Sequence, residues 1–600
     1  VISPVAVWQA QTKLEAQVLP SGLNGGWLTN RKIVTRTSSG PTGTAVRFRE
    51  PGASGAGGSI TAAQAAALDA DAVKARKVLE YLRGDRSNED TIAVPNLFRR
   101  RSYILGDIVN SEPRYVGKPN EAYSDAYHPG YASYQSAKAA RTPTVYVGAN
   151  DGMLHAFKGT VGDADSGQEK WAYIPSFLFT GTVEGLVGLT WRPSDPLPNK
   201  FQHRFRVDQT PTVRDVDFNR VGSTSGSGDW RSLLVAGLNK GGKGYFALDI
   251  TNPDAASEDA VRSKVLWEFD GSATGDQTRM GYSYGQPLVI YTNAGWMVAV
   301  SSGYQNTTGT GHIWLLDPRN GNVIKRLDVP DNGGASAANP IGLASMEVFF
   351  QSDREQLVQQ LYATDLRGNV WRFDLSAAAV ASWPTNATKI AAVGAPITSA
   401  PAVAVNPRDR SERWVYFGTG QVLSTADLSS GAVRTFYAVK DGGPSIPGTF
   451  ATPVSRSDLE PVTPSGTAPQ GAAVKGWYMD MTAGGGGQIA ISPHVARGVV
   501  MWAATVPSTD PCTPGATAVF YAREMGAATN RIANGSLYVT MNAPVTKLQV
   551  AQSTQAAGGT STQRKQLLIA STSGSDIVVD VNLRVVLTGG RSNLRFVTSQ

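Results

Sequence analysis

Apolar and polar positions along this chain fall into short runs broken by glycine-rich turns. The clearest case is residues 144–157, TVYVGANDGMLHAF: an apolar strand, an Asn-Asp-Gly turn and a second apolar strand. Asn, Asp and Gly tolerate the positive φ that a tight two-residue turn demands, so this stretch predicts a β-hairpin. The same order recurs at 233–250 (LLVAGLNKGGKGYFALDI), 297–316 (MVAVSSGYQNTTGTGHIWLL), 361–375 (LYATDLRGNVWRFDL), 414–439 (WVYFGTG to RTFYAV) and 499–522 (VVMWAA to VFYA). Each copy has an apolar strand ending in a small residue, a turn, then a strand with an aromatic that often closes on Asp.

A hairpin of this size cannot bury both of its faces alone. Six copies recurring every ~55–90 residues, longer than the ~40–50 of compact propeller repeats, predict blades with inserted loops. Residues 107–117 (DIVNSEPRYVG) or the C-terminal strands could supply a further blade or close the ring. The expected fold is all-β: a modified β-propeller of seven blades over residues 96–600, preceded by a short mixed α/β segment at 1–95. The competing reading is a large sandwich of unrelated hairpins; the recurrence of turn and aromatic in one order favours the propeller. The N-terminal segment predicts one helix over about 62–82, capped by Ser59 or Thr61 and stopped at Gly84.

With 600 residues, the chain exceeds one compact core. Its 64 glycines, 34 prolines and 17% charged residues fit a turn-rich β protein. The net charge of +7 is spread thinly, with Arg99-Arg100-Arg101 the densest cluster, which argues against nucleic-acid binding. A single cysteine, Cys512, rules out an intrachain disulfide or a cysteine-based metal site and reads as a free thiol. No apolar run is long enough to span a membrane as a helix. With no initiator Met and no signal peptide, the chain reads as a fragment of something longer.

The segments LRGDRSNED, FRRRSYILGDIVNSEPRYVG, VYVGANDGMLHAF, EKWAYIP, LLVAGLNKGGKGYFALDIT, VLWEFD, GYSYGQP and LYATDLRGNVWRFDL resemble, in this order, the C-terminal region of the type IV pilus biogenesis and tip-adhesin family (PilC/PilY type). The resemblance runs from about residue 79 to 441 and is weaker outside. It implies a modified seven-bladed propeller exported to the surface of a Gram-negative bacterium, outer-membrane associated and at the pilus tip. It implies contacts with minor pilins or a tip complex that favour extension over retraction, and hence adhesion, twitching motility and virulence. It also implies a further N-terminal region with its own adhesive domain and signal peptide.

The resemblance further implies a calcium loop before the strand at 361, an Asp-x-Asp-x-Asp-x-x-x-Asp pattern whose alternate oxygens wrap the ion. Here the loop reads Gln351-Ser-Asp353-Arg-Glu355-Gln-Leu-Val-Gln359. Only Asp353 and Glu355 keep charge, so weak calcium binding or none is expected. Asp215-Val-Asp217-Phe-Asn219 has Asp-x-Asp-x-Asn spacing, but no glycine or later carboxylate completes a loop, and it reads as a polar strand edge. Arg83-Gly84-Asp85 is an RGD tripeptide. In a mobile loop it would offer a guanidinium and a carboxylate to an integrin, a role the resemblance also suggests; the plainer reading is a helix-end turn. Residues 118–138, with Tyr123, Tyr127, Tyr131 and Tyr134, read as a lead-in to the first blade.

An enzyme is disfavoured. His128, His155, His203, His312 and His494 are scattered, with no HExxH and no P-loop. His155 reads as a packing residue rather than a general base. The hairpins also resemble quinoprotein dehydrogenase blades, but the adjacent cysteine pair many of those enzymes set against their quinone is missing, so no quinone is expected. Trp171, Trp267, Trp314 and Trp371, from successive repeats, read as packing between blades rather than as a ligand cage.

Overall fold

All six predicted hairpins form central strand pairs of successive sheets. The computed structural model describes residues 6–579 except 20–24, 54–57, 93–94, 227, 332–333, 351, 425, 428–431, 443–452, 472, 483–486, 508–515, 533–534, 557–561 and 573–575. Cys512 lies outside the described residues.

The first sheet holds β1 (Ile33–Arg36), β2 (Ala45–Arg47), β3 (Arg114–Val116), β4 (Thr144–Ala149), β5 (Met153–Lys158) and β6 (Glu169–Ile174), in the order β2-β1-β6-β5-β4-β3. The second is β7 (Thr212–Asp217), β8 (Trp230–Gly237), β9 (Tyr245–Asp249) and β10 (Val265–Phe269). The third is β11 (Leu288–Thr292), β12 (Gly295–Ser301), β13 (His312–Leu316) and β14 (Val323–Asp328). The fourth runs through β15 (Met346–Phe350), β16 (Val358–Thr364), β17 (Asn369–Asp374) and β18 (Thr388–Ala392). The fifth runs through β19 (Ala402–Val405), β20 (Arg413–Gly418) and β21 (Thr435–Lys440). From the following segment, β22 (Val454–Ser455) adds to the edge of the fourth sheet, while β23 (Glu460–Pro461) and β24 (Gly476–Asp480) complete the fifth. The sixth sheet is β25 (His494–Ala496), β26 (Val499–Pro507), β27 (Ala516–Glu524) and β28 (Val539–Met541). A three-stranded sheet of β29 (Val545–Ala556), β30 (Thr562–Thr572) and β31 (Asp576–Val579) follows.

Apart from the short β23, which pairs parallel to β24, paired strands that follow one another in the chain run antiparallel, and the first strands of neighbouring sheets approach one another. Repeated up-and-down sheets arranged in this way are propeller blades. Both faces of the central strands are buried, because each sheet is covered by its neighbours. Tryptophans tie adjacent sheets: Trp171 Nε1 donates to the Pro253 carbonyl at 2.8 Å and Trp267 Nε1 to the Pro318 carbonyl at 2.9 Å. Segment 107–117 supplies β3, an edge strand of the first sheet rather than a blade of its own.

The 150–152 turn has three residues rather than the expected two. Ala149 pairs with Met153, Gly152 donates to the Ala149 carbonyl at 3.1 Å, and Gly152 has φ +93°. A Cβ on Gly152 would lie 2.6 Å from Leu186 Cδ2, so glycine is required by both conformation and space.

The N-terminal helices are α1 (Ala10–Val18), α2 (Gly26–Thr29), α3 (Ala62–Leu68) and α4 (Ala72–Arg83). The single helix expected at 62–82 is thus two. Thr61 caps α3 through a reciprocal box with Gln64. Asp69 accepts from the Asp71 N–H at 3.0 Å and Asp71 from the Lys74 N–H at 2.8 Å, so the aspartates divert the backbone and start a second helix. Two short helices follow, α5 (Tyr131–Ala137) and α6 (Glu258–Arg262). β1 joins β6 in parallel, pairing Ile33 with Ala172, so the segment before residue 96 extends the first sheet.

Candidate functional site

Behind the 150–152 turn, β5 and β6 place His155 between two carboxylates. Its Nδ1 lies 2.7 Å from Glu169 Oε1, and its Nε2 lies 3.1 Å from both Asp151 oxygens. Arg31 grips Glu169 from the other side, donating through Nε and Nη2 at 2.7 Å each. Arg31 Nη1 donates to the Arg83 carbonyl at 2.8 Å, and Arg83 Nη2 donates back to the Arg31 carbonyl at 2.9 Å. Arg83 also donates to the Phe48 carbonyl at 2.9 Å and pairs with Glu258 at 3.0 Å, which Arg49 holds at 2.8 Å. This chain of ion pairs and hydrogen bonds joins α4, the residues just before β1, β5, β6 and α6.

Burial opposes the charge on His155, but the Asp151 charge and the bonds to Asp151 and Glu169 outweigh it and raise its pKa to about 9. Burial likewise opposes the Glu169 charge, yet Arg31 and His155 hold that carboxyl well below the usual range. His155 is therefore a buried structural cation rather than a neutral packing residue or a base. Its folded pKa exceeds the ordinary 6.5. The stability it contributes is complete below pH 6.5 and is lost as pH rises through about 9. The melting temperature is expected to fall across that window, and to fall less steeply in His155→Gln; parallel pH profiles would contradict the assignment.

The Arg83-Gly84-Asp85 tripeptide is not a presented loop, which corrects the integrin-binding expectation for these residues. Arg83 is 0% and Asp85 5% exposed. Gly84, at φ +121°, closes α4 by donating to the Glu80 and Tyr81 carbonyls. The Asp85 carboxylate accepts from the Ser87 N–H and hydroxyl, and its carbonyl accepts from Arg101 at 3.0 Å. The tripeptide is a helix end folded onto the first sheet, the plainer of the two sequence readings.

The degenerate calcium loop keeps charged side chains only at Asp353 and Glu355. Gln351 lies outside the described residues. The carbonyls of Asp353, Arg354 and Glu355 accept from Gln356 Nε2 (3.0 Å), the Ser124 N–H (3.2 Å) and His128 Nε2 (2.6 Å), leaving two charged side chains where the ion needs six to eight oxygens. Among the described residues, no group of three or more His, Cys, Asp or Glu side chains is placed to hold a metal. The Asp215–Asn219 run is spent on structure. Asp215 accepts from the Tyr131 hydroxyl at 2.7 Å and the Ser232 hydroxyl at 2.5 Å. Asp217 accepts from the N–H groups of Asn219, Gly228 and Asp229.

The tyrosine-rich segment is not a lead-in to the first blade. Tyr123, Tyr131 and Tyr134 pack with Trp230 and Trp296 in the core shared by the second and third sheets. Trp171, Trp267, Trp314 and Trp371 are all buried, with indole N–H groups bonded to Pro253, Pro318, Asp276 and Asp365. They pack the sheets, as their spacing implied.

Beside Asp151 opens a polar cavity of about 60 Å³, with Arg99, Arg101, Asp107, His203 and Arg206 in its wall. The sequence signalled it only through the FRRRSYILGD run, because its other wall comes from residues 201–206, far along the chain.

Residues 105–394 match the family described as the PilY1 beta-propeller domain. The type IV pilus biogenesis factor PilY1 homolog of Xylella fastidiosa (strain Temecula1) is 32% identical over 437 residues, covering 70% of this chain and 32% of that protein. The type IV pilus biogenesis factor PilY1 of Pseudomonas aeruginosa (strain PAK) is 31% identical over 577 residues, covering 85% of this chain and 45% of that protein. The chain therefore spans less than half the length of these relatives. The crystal structure of the P. aeruginosa PilY1 C-terminal domain shares the fold, with a TM-score of 0.57 at 22% identity over 78% of this chain and 100% of that one.

Proposed function

Since residues 105–394 match the PilY1 beta-propeller domain family, we propose that this chain is the propeller part of a type IV pilus biogenesis factor and works by protein–protein contact rather than catalysis. The observation that carries this reading is the family match together with relatives that bear that name. Minor pilins or a pilus-tip complex would dock on the propeller and favour extension over retraction, with adhesion and twitching motility as consequences. On this reading the protein sits at the surface of a Gram-negative cell, near the pilus tip. No helix among the described residues is long and apolar enough to cross a membrane. The arginine-lined cavity beside the 150–152 turn, with the exposed Tyr103 in its wall, supports docking at that face.

Counting pili and attached cells in a deletion strain tests the reading: loss of pili together with attachment supports it. Normal piliation with lost attachment would instead make the protein a direct adhesin.

The propeller is not expected to depend on calcium. Calorimetric titration of the metal-stripped chain should show no saturable site tighter than roughly millimolar. A tight site abolished by Asp353→Ala would contradict this.

A further inference from the structure

Among the described residues, two guanidiniums in the wall of the cavity beside Asp151 have no carboxylate within ion-pairing distance. The other charges there are accounted for: Arg101 pairs with Glu89 at 2.6 Å, Arg204 with Glu184 at 3.0 Å, Asp151 with His155 at 3.1 Å and Asp107 with His203 at 2.8 Å. Arg206 is buried, and its side chain donates only to carbonyls, those of Asn150, Val183, Arg204 and Gly185. These dipoles solvate its charge without neutralising it. Arg99 donates through Nε to the Leu189 carbonyl at 2.7 Å, and its guanidinium lies 4.1 Å over the Phe201 ring. Its two terminal nitrogens have no hydrogen-bond partner among the described residues. Burial and then the like charge of Arg99 depress Arg206 to about 10, so the two cations repel.

We propose that this cavity is a docking site for a single carboxylate, an acidic side chain on an apolar segment of a partner protein, held by the open end of Arg99. A guanidinium fork matches a carboxylate in a bidentate pair. Pinning Nε and stacking the plane on Phe201 remove in advance much of the side-chain freedom that binding would otherwise cost. The cavity volume of about 60 Å³ suits one small group. Asp107 and Asp151 in the same wall disfavour a dianion such as phosphate. Tyr103 in the same wall, 52% exposed, offers neighbouring apolar surface, and the exposed Ile108 and Val109 follow Asp107 along the chain. The proposal draws on the pilus reading only for the identity of the partner.

The test titrates the 600-residue chain with a fluorescein-labelled five-residue peptide carrying one aspartate between leucines, and with its asparagine counterpart, by fluorescence polarisation. The aspartate peptide is expected to bind about tenfold more tightly, and Arg99→Gln to abolish that preference. Arg99→Lys, which keeps the charge without the fork, should retain only part of it, and Arg100→Gln, at the adjacent exposed position, all of it. Equal binding of the two peptides, no binding of either, or displacement by inorganic phosphate at lower concentration than by unlabelled peptide would overturn the proposal. A loss of preference in Arg99→Gln counts as support only where circular dichroism and melting match the parent; should that variant unfold, Arg99→Lys alone decides. Failure of the peptide test leaves the pilus reading standing. Normal pili in a deletion strain would defeat that reading and leave the carboxylate site standing.

Discussion

Glu169→Gln is expected to destabilise the folded chain by roughly 3–5 kcal/mol. The substitution keeps the volume of the side chain and removes its charge. Glu169 is buried and accepts from Arg31 through both oxygens and from His155 through one. A glutamine there turns an NH2 group toward groups that are themselves donors, and leaves the Arg31 and His155 cations buried with a neutral neighbour. Removing one partner of a buried ion pair costs far more than the pair contributes net, because the surviving charge stays desolvated. A lowered denaturant midpoint for the transition of the first sheet, read from its own tryptophan Trp171, checks this. A change under about 1 kcal/mol would show that the chain from Asp151 to Arg49 does not hold the N-terminal segment to the propeller.

Arg83→Ala is expected to cost about 3–5 kcal/mol as well, for a different mixture of reasons. The Phe48 and Arg31 carbonyls lose their donor, and Glu258 keeps Arg49 and the Ile33 N–H but loses one of its two cations. Cell attachment should fall only as far as the folded fraction falls. Asp85→Glu separates the architectural role of the tripeptide from receptor recognition, since it disturbs the contacts to Ser87 while preserving charge. Attachment by Asp85→Glu is expected to match the parent once amounts of folded protein are equalised. Loss of attachment with unchanged melting would make the tripeptide a receptor motif despite its burial.

The hairpins were legible because their information is local. Residues 144–157 carry strand, turn and strand within one window, and the turn residues state their conformation. The remaining strands of each sheet are marked more weakly. β3, β19 and β25 have three or four residues each and find their place only through partners. Nothing near Ile33 signals its parallel pairing with Ala172, because the register is set across the whole first sheet. The ionic chain was hidden for the same reason: Arg31 and Glu169 stand 138 positions apart, and Arg31 and Arg83 stand 52 apart. A usable hint was present in EKWAYIP, where a glutamate opens a strand that continues as the apolar run Trp171–Ile174 and so calls for a buried cation. His155 was read correctly as part of the strand, but its charge follows from Asp151 and Glu169 on either side of the ring. Gly84 was legible as a helix stop; that the flanking Arg83 and Asp85 turn inward was not, since the sheet that receives them is assembled from distant segments.

The measurement that bears most directly on the pilus role is surface pilus number in a strain lacking this gene, counted first with retraction working and then with retraction disabled. On the proposed reading, in which the protein shifts the balance toward extension, pili are expected to vanish in the first strain and to return in the second. An unchanged number of pili in both strains would contradict that role.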